Sequence, residues 1–171
     1  MSAIHTPVDS DFQILRSEKT SFPKLLNLPA GVSEEDIAPG EFIGRNEVYQ
    51  GDVQLRKITN ANYKDQAKHA VPRINTTSND VKESGAVTVQ KGHFELKTKF
   101  YLAGENYNIG DLLTLRYSSN RDAGVLGPTE SDTKFIVGRV ERAPSNTSWG
   151  EQDMLQATMF DNASPTSNIT L

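Results

Sequence analysis

The sequence predicts an all-β fold, an antiparallel small barrel or sandwich with an extended N-terminal arm and long polar loops. Apolar and polar side chains alternate over residues 94–102, which is the pattern of a strand with one buried face. The other strand candidates are short and are separated by segments rich in Gly, Pro, Asn and Ser. No segment has the composition of a helix long enough to connect parallel strands, so antiparallel pairing is expected.

Three parts are expected along the 171 residues: an extended arm at 1–38, a single β domain at 39–160 and a polar tail at 161–171. The arm has three prolines in its first thirty residues, which exclude a long helix and disfavour a central strand. Isolated Leu, Ile and Phe residues between the prolines favour an arm that docks on a neighbouring subunit over a solvated tail.

Within the β domain, residues 94–102 and 112–117 are expected to pair as a hairpin with a long loop. Residues 59–85 predict a long polar connection with a helical turn or two within 61–70. Residues 118–133 contain several turn-forming residues and are expected to be a loop. Further strands are predicted at 42–44, 47–49, 53–58, 134–142 and 154–160.

Composition and charge disfavour several classes of function. The formal net charge is −4, with 10 basic against 12 acidic residues in 1–85 and 8 against 10 in 86–171. No basic stripe is visible, so the sequence predicts no nucleic-acid partner. The absence of cysteine excludes disulfides, zinc-thiolate sites and thiol nucleophiles. No apolar run approaches the ~18 residues of a membrane span, and no membrane partner is expected.

No catalytic residue, cofactor site or metal site is predicted. The sequence has neither a Gly-x-Ser-x-Gly nucleophile motif nor a Gly-rich phosphate loop. The three histidines are too far apart in sequence to suggest a metal site: His5, His69 and His93. Three acids of the 118–133 segment could be paired carboxylates or calcium ligands, but solvated loop acids are the favoured interpretation: Asp122, Glu130 and Asp132.

Trp149 is the only tryptophan, and it lies in a loop rich in Ser, Asn and Gly. If its indole is exposed, it is expected to anchor an interface. If it is buried, it is expected to cover one end of the barrel. The sequence leaves both interpretations open.

Several short motifs resemble those of one known family. They are the Pro-Gly turn before a strand at 39–42, the Asn-x-Gly-Asp-Leu segment at 108–112, a strand with an internal glycine at 135–140 and an amphipathic last strand at 155–159. Together they cover roughly residues 39–160. In this pattern the sequence resembles the decoration, or cement, proteins of tailed-bacteriophage capsids and small phage structural proteins generally.

This resemblance implies a non-enzymatic protein, made in the host cytoplasm, that binds the outer capsid surface of the virion. It would stabilise the shell by clamping neighbouring subunits of the major capsid protein, often as a homotrimer. The residues expected at the capsid or subunit interface are Phe12, Ile14, Leu15, Phe22 and Trp149.

Two other classes remain open. One is a glycan-binding or adhesin-like virion module, which would use Trp149 and tyrosines. The other is a small β-barrel enzyme, either cupin-like or of the trimeric nucleotidohydrolase kind. Against the enzyme, the chain has no His-x-His metal pair and no Pro-Arg-Ser-Gly phosphate motif.

Overall fold

The computed structural model describes residues 11–17, 24–27, 40–49, 52–66, 71–72, 86–89, 92–144 and 153–165. In these residues the fold is all-β, as predicted, with a single helical turn, α1 (Tyr63–Gln66). The strands are β1 (Phe12–Ser17), β2 (Lys24–Asn27), β3 (Phe42–Tyr49), β4 (Asp52–Arg56), β5 (Val71–Pro72), β6 (Ala86–Val89), β7 (Phe94–Thr98), β8 (Leu112–Ser118), β9 (Ala123–Pro128), β10 (Phe135–Arg142) and β11 (Leu155–Pro165).

One large sheet dominates the described part of the chain. Its strand order is β1-β7-β11-β10-β8-β9-β3-β4, and β5 pairs separately with β3. All of these strand pairings are antiparallel. Strands β2 and β6 form a second, two-stranded sheet. The large sheet curls into a half-barrel, which agrees with the predicted small barrel or sandwich.

The predicted hairpin of 94–102 with 112–117 is wrong. Strand β7 ends at Thr98, whose Oγ1 accepts a hydrogen bond from the backbone N–H of Phe100 at 2.9 Å. This local bond bends the chain away from the strand direction. The chain then reaches β9, where the N–H of Leu102 donates to the carbonyl of Leu126 at 2.8 Å. Strand β8 pairs with β9 and β10 instead of β7.

The core lies along one face of the curled sheet. The alternation predicted for β7 is confirmed as far as the strand extends, because Phe94 and Leu96 are buried while Glu95 and Lys97 are partly exposed. The largest completely buried side chains are Phe42, Ile43, Ile58, Leu96, Leu113, Leu115, Leu126, Ile136 and Leu155.

The loop prediction for 118–133 is wrong at its centre, where residues 123–128 form strand β9. The glycines that suggested turns are required here for close packing. A Cβ at Gly124 would lie 2.3 Å from the carbonyl oxygen of Phe42, and one at Gly127 would lie 2.5 Å from the Cγ of Arg116. The turn is confined to 119–122, between β8 and β9.

The large sheet includes residues from the expected arm and from the expected tail. Strand β1 lies within the expected arm and pairs with β7 of its own chain. Strand β11 continues to Pro165, which pairs with Phe135. The expected separate strands at 42–44 and 47–49 form one strand, β3.

Candidate binding face

Four neighbouring strands, β1, β7, β11 and β10, carry polar side chains on the face away from the core. Arg16 of β1 is the register partner of Glu95 of β7. Glu95 is in turn opposite Thr158 of β11, and Thr158 is opposite Arg139 of β10. Because residues directly opposite each other in antiparallel strands lie on the same face, these four form one row across the sheet.

A second polar row runs beside the first. Lys97 of β7 is opposite Gln13 of β1 and Gln156 of β11, and Gln156 is opposite Arg142 of β10. We call the two rows, together with Glu141, the outer face. Its described charged side chains are Arg16, Lys97, Arg139 and Arg142 against Glu95 and Glu141.

Glu141 joins β10 to β11 through its side chain. Its Oε1 accepts a hydrogen bond from the Thr158 hydroxyl at 2.6 Å and another from Arg139 Nε at 2.9 Å. Both hydrogen bonds lower the pKa of the Glu141 carboxyl, and the bond from Thr158 has the larger effect. The register of β10 against β11 shifts between Val140 and Arg142, so Glu141 occupies a β-bulge.

The first row borders an open concavity of about 380 Å³. Arg16 and Arg139 are on its outer two strands, and Glu95 lies between them. His93 also lines it, and the His93 ring stacks on Phe160 with 6.5 Å between centroids. The arrangement can take a protruding side chain and can pair with charges of both signs.

Two of the five interface residues expected from the sequence, Phe12 and Leu15, have described side chains, and neither belongs to the two rows of the outer face. Phe12 is half-buried against the chain's own fold, because a Cβ built at Gly40 would lie 2.4 Å from Phe12 Cδ1 and 2.8 Å from Phe100 Cε2. Leu15 is 37% exposed at a register shift of β1.

The other three expected interface residues give less information. The backbone of Ile14 pairs with Leu96, and its side chain lies outside the description. Phe22 and Trp149 lie outside the described residues, so both interpretations of Trp149 stay open.

The acids of the 118–133 segment contact separate partners and do not form one cluster. The pairs are Asp122 with Tyr117, Glu130 with Arg116, and Asp132 with Lys64. Across the residues that the structure describes, there is no group of three or more His, Asp or Glu side chains that could hold a metal ion. None of the helices within that description is long and apolar enough to cross a membrane.

The tyrosines considered for glycan binding include three that are engaged within the fold. Tyr107 donates a hydrogen bond to the carbonyl of Leu102 at 2.7 Å and packs edge-on against Tyr101. Tyr117 donates to Asp122 Oδ1 at 2.6 Å. These rings therefore contribute to packing and to the turn after β8.

The outer face does not correspond to any charged segment of the sequence, because strand register brings its residues together from distant positions. Each half of the chain mixes both signs, whereas strand register collects residues from 13 to 158 on one surface. Charged residues alternate at positions 95, 97 and 99, which indicates one exposed face of this strand but not which strands lie beside it.

No family model, curated protein or solved structure matches the chain.

Proposed function

We propose that this chain is a non-enzymatic structural module that binds the outer surface of a phage capsid, as a trimer, and stabilises the shell by clamping adjoining major capsid subunits. The observation that carries the proposal is the outer face, a polar surface that extends across four strands. The capsid as partner rests on the resemblance in sequence pattern at 39–160.

The outer face suits attachment to a protein surface because its charges are held at fixed spacings. Neighbouring strands lie about 4.8 Å apart, and the backbone pairing of β7, β11 and β10 sets where Glu95, Thr158 and Arg139 stand. Glu141 accepts hydrogen bonds from two of these positions, which orders it before any partner arrives. A preordered surface loses less conformational entropy on binding.

Charges of both signs favour specificity over strong binding by a single copy. A surface that offers guanidinium and carboxylate groups matches a complementary protein surface and disfavours mismatched ones. Many copies on one shell then give strong attachment through multivalency. This mode of binding needs no large exposed apolar patch.

The experiment is co-sedimentation of the purified protein with capsids that lack it, followed by heating of the decorated shells. We expect saturable binding and disruption of the shells at a higher temperature. Arg139→Gln removes an exposed, paired positive charge from the outer face, where the Arg139 side chain is 55% exposed. Lys64→Gln is the matched control away from that face, since Lys64 is 45% exposed and is paired with Asp132.

Arg139→Gln is expected to bind less tightly than the wild type at low salt, with the difference shrinking as salt screens the charge. Lys64→Gln is expected to bind as the wild type does. Equal binding by all three proteins would remove the outer face from the proposal. Absence of saturable binding to any shell would reject the capsid partner and lead to a test for glycan binding.

A further inference from the structure

The concavity beside the first row of the outer face is lined by two acids and two bases that differ in exposure. Glu95 is partly buried, and the Glu141 side chain is 27% exposed. Arg16 is exposed, and the Arg139 side chain is 55% exposed. All four residues line the concavity of about 380 Å³. Its less accessible charges are therefore negative, and its more accessible charges are positive.

Two of these four charges are not used within the fold. The Glu141 carboxylate is paired with Arg139 and accepts a hydrogen bond from Thr158. Among the residues that the structure describes, the Glu95 carboxylate makes no ion pair or side-chain hydrogen bond, and neither does the guanidinium of Arg16, its register partner. A partner can therefore pair with Glu95 or Arg16 without first breaking an internal contact.

The outer face around the concavity carries the opposite sign to the chain as a whole. Its described charged side chains are four bases and two acids, a formal charge of +2, whereas the whole chain carries −4. An acidic partner surface is therefore attracted to this face in preference to the rest of the molecule.

A uniformly acidic partner would not match the concavity itself, because its acids would approach the uncompensated Glu95 carboxylate. The complementary group at that point is a cation. The volume is at the small end of the ~300–1,000 Å³ range of ligand sites, which suits one side chain better than a folded segment.

We infer that the concavity receives one basic side chain, lysine or arginine, that protrudes from an acidic patch of a partner protein. The basic group pairs with Glu95. Acids beside it in the partner pair with Arg16 and with Arg139, whose Nε alone contacts Glu141 Oε1. This site rests on the outer face as the binding surface of the proposed function, but not on the capsid as the partner, and it is tested without a capsid.

The experiment is a titration of the isotope-labelled full chain with short capped peptides, followed by NMR. The first peptide has a lysine between two aspartates, the second has an arginine in that place, and the third has a glutamine. At least one of the basic peptides is expected to shift the amide signals of Glu95, Thr158 and Arg139 saturably. The glutamine peptide should bind about fivefold more weakly than that peptide, because it lacks one ion pair.

Two variants separate the floor of the site from its rim. Glu95→Gln should abolish the preference for a basic peptide over the glutamine peptide. Arg16→Gln should weaken all three peptides and keep the preference, because it removes a contact to their aspartates. Glu105→Gln is the matched control, since Glu105 is an exposed acid outside the outer face, and it should bind like the wild type. Circular dichroism checks that each variant folds.

Three results would overturn the site. The first is a glutamine peptide that binds the wild type as tightly as both basic peptides or more tightly, which would show a site for anions alone. The second is a folded Glu95→Gln variant that keeps the preference for a basic peptide. The third is the absence of shifts around the concavity with every peptide at its highest soluble concentration. Binding of a basic peptide by a protein that binds no shell would support the site and reject only the capsid partner.

Discussion

Glu41 and Lys57 form an ion pair within the fold, with 2.7 Å between Lys57 Nζ and Glu41 Oε1. The Glu41 side chain is 1% exposed and the Lys57 side chain is 16% exposed. Glu41 immediately precedes β3, and Lys57 immediately follows β4, the strand paired with β3. A carboxylate this deeply buried needs a partner, because the interior solvates a lone charge poorly. The pair thus links the two ends of this hairpin.

Lys57→Met is expected to lower the free energy of unfolding by about 3 kcal/mol, because it leaves the Glu41 carboxylate buried without this cation. Urea denaturation measures the change. Lys64→Met serves as control, since the Lys64–Asp132 pair is exposed and should give no measurable change. If Lys57→Met unfolds at the same urea concentration as wild type, the Glu41–Lys57 pair has no structural role.

Gly124→Ala is expected to destabilise the fold by about 3 kcal/mol, because its Cβ would lie 2.3 Å from the backbone oxygen of Phe42 and 2.8 Å from Ile58 Cγ1. Gly104→Ala tests backbone strain alone, as Gly104 has a φ of +84° and open space around its Cβ position. It should cost about 1 kcal/mol. Thermal unfolding compares the two variants, and an equal loss at both positions would contradict the packing argument.

The strands that sequence predicted correctly are those whose alternation reflects direct burial. Phe94 and Leu96 alternate with charged residues because β7 has one face on the core, and local sequence is enough to reveal that. The hairpin failed because one side-chain bond, from the Phe100 N–H to Thr98 Oγ1, redirects the chain. Gly124 looked like a turn residue because sequence does not disclose that Phe42 approaches it.

The outer face was out of reach for a different reason. Arg16, Glu95 and Arg139 become neighbours through the order and register of strands far apart in the chain. Register depends on the whole set of sheet contacts and on bulges such as the one at Leu15, and one misplaced residue would send every later side chain to the opposite face. Residue types alone therefore predicted a strand with one polar face, but not which residues of other strands would lie beside it.

Thr158→Val is expected to reduce stability at neutral pH by about 1 kcal/mol, because it removes the buried hydroxyl that donates to Glu141. That bond also lowers the pKa of Glu141 in the folded state. The linked stability is present above the ordinary pKa of 4.5 and is lost as the pH falls through the lower folded value. The two proteins should therefore converge in acid.

Thr114→Val is the matched control for that pH dependence. Thr114 is as buried as Thr158, at 4% exposure, and its hydroxyl donates to the carbonyl of Phe135 at 2.8 Å, which does not titrate. Its stability loss should be the same at neutral and acid pH. A Thr158→Val deficit that stays constant on acidification would show that the Glu141 bond is not the origin of the effect.

Tyr107→Phe removes the hydroxyl of a buried tyrosine that lies immediately before the turn at 108–111. The hydroxyl donates to the carbonyl of Leu102 at 2.7 Å, so its removal should cost about 1 kcal/mol at neutral pH. Burial is the main reason that the pKa of Tyr107 is raised above 10.0. The linked stability is complete below 10.0 and is lost as the pH rises towards the folded pKa, since the unfolded phenol ionises first.

The wild type should therefore lose stability faster than Tyr107→Phe in alkaline solution, and the difference between them should shrink. Denaturant unfolding at increasing pH measures this, and tyrosinate absorbance of the folded proteins should show that the variant lacks a late-ionising phenol. If the wild type and the variant keep a constant difference in unfolding free energy across the alkaline range, Tyr107 ionises as readily in the folded chain as in the unfolded one, and burial does not raise its pKa.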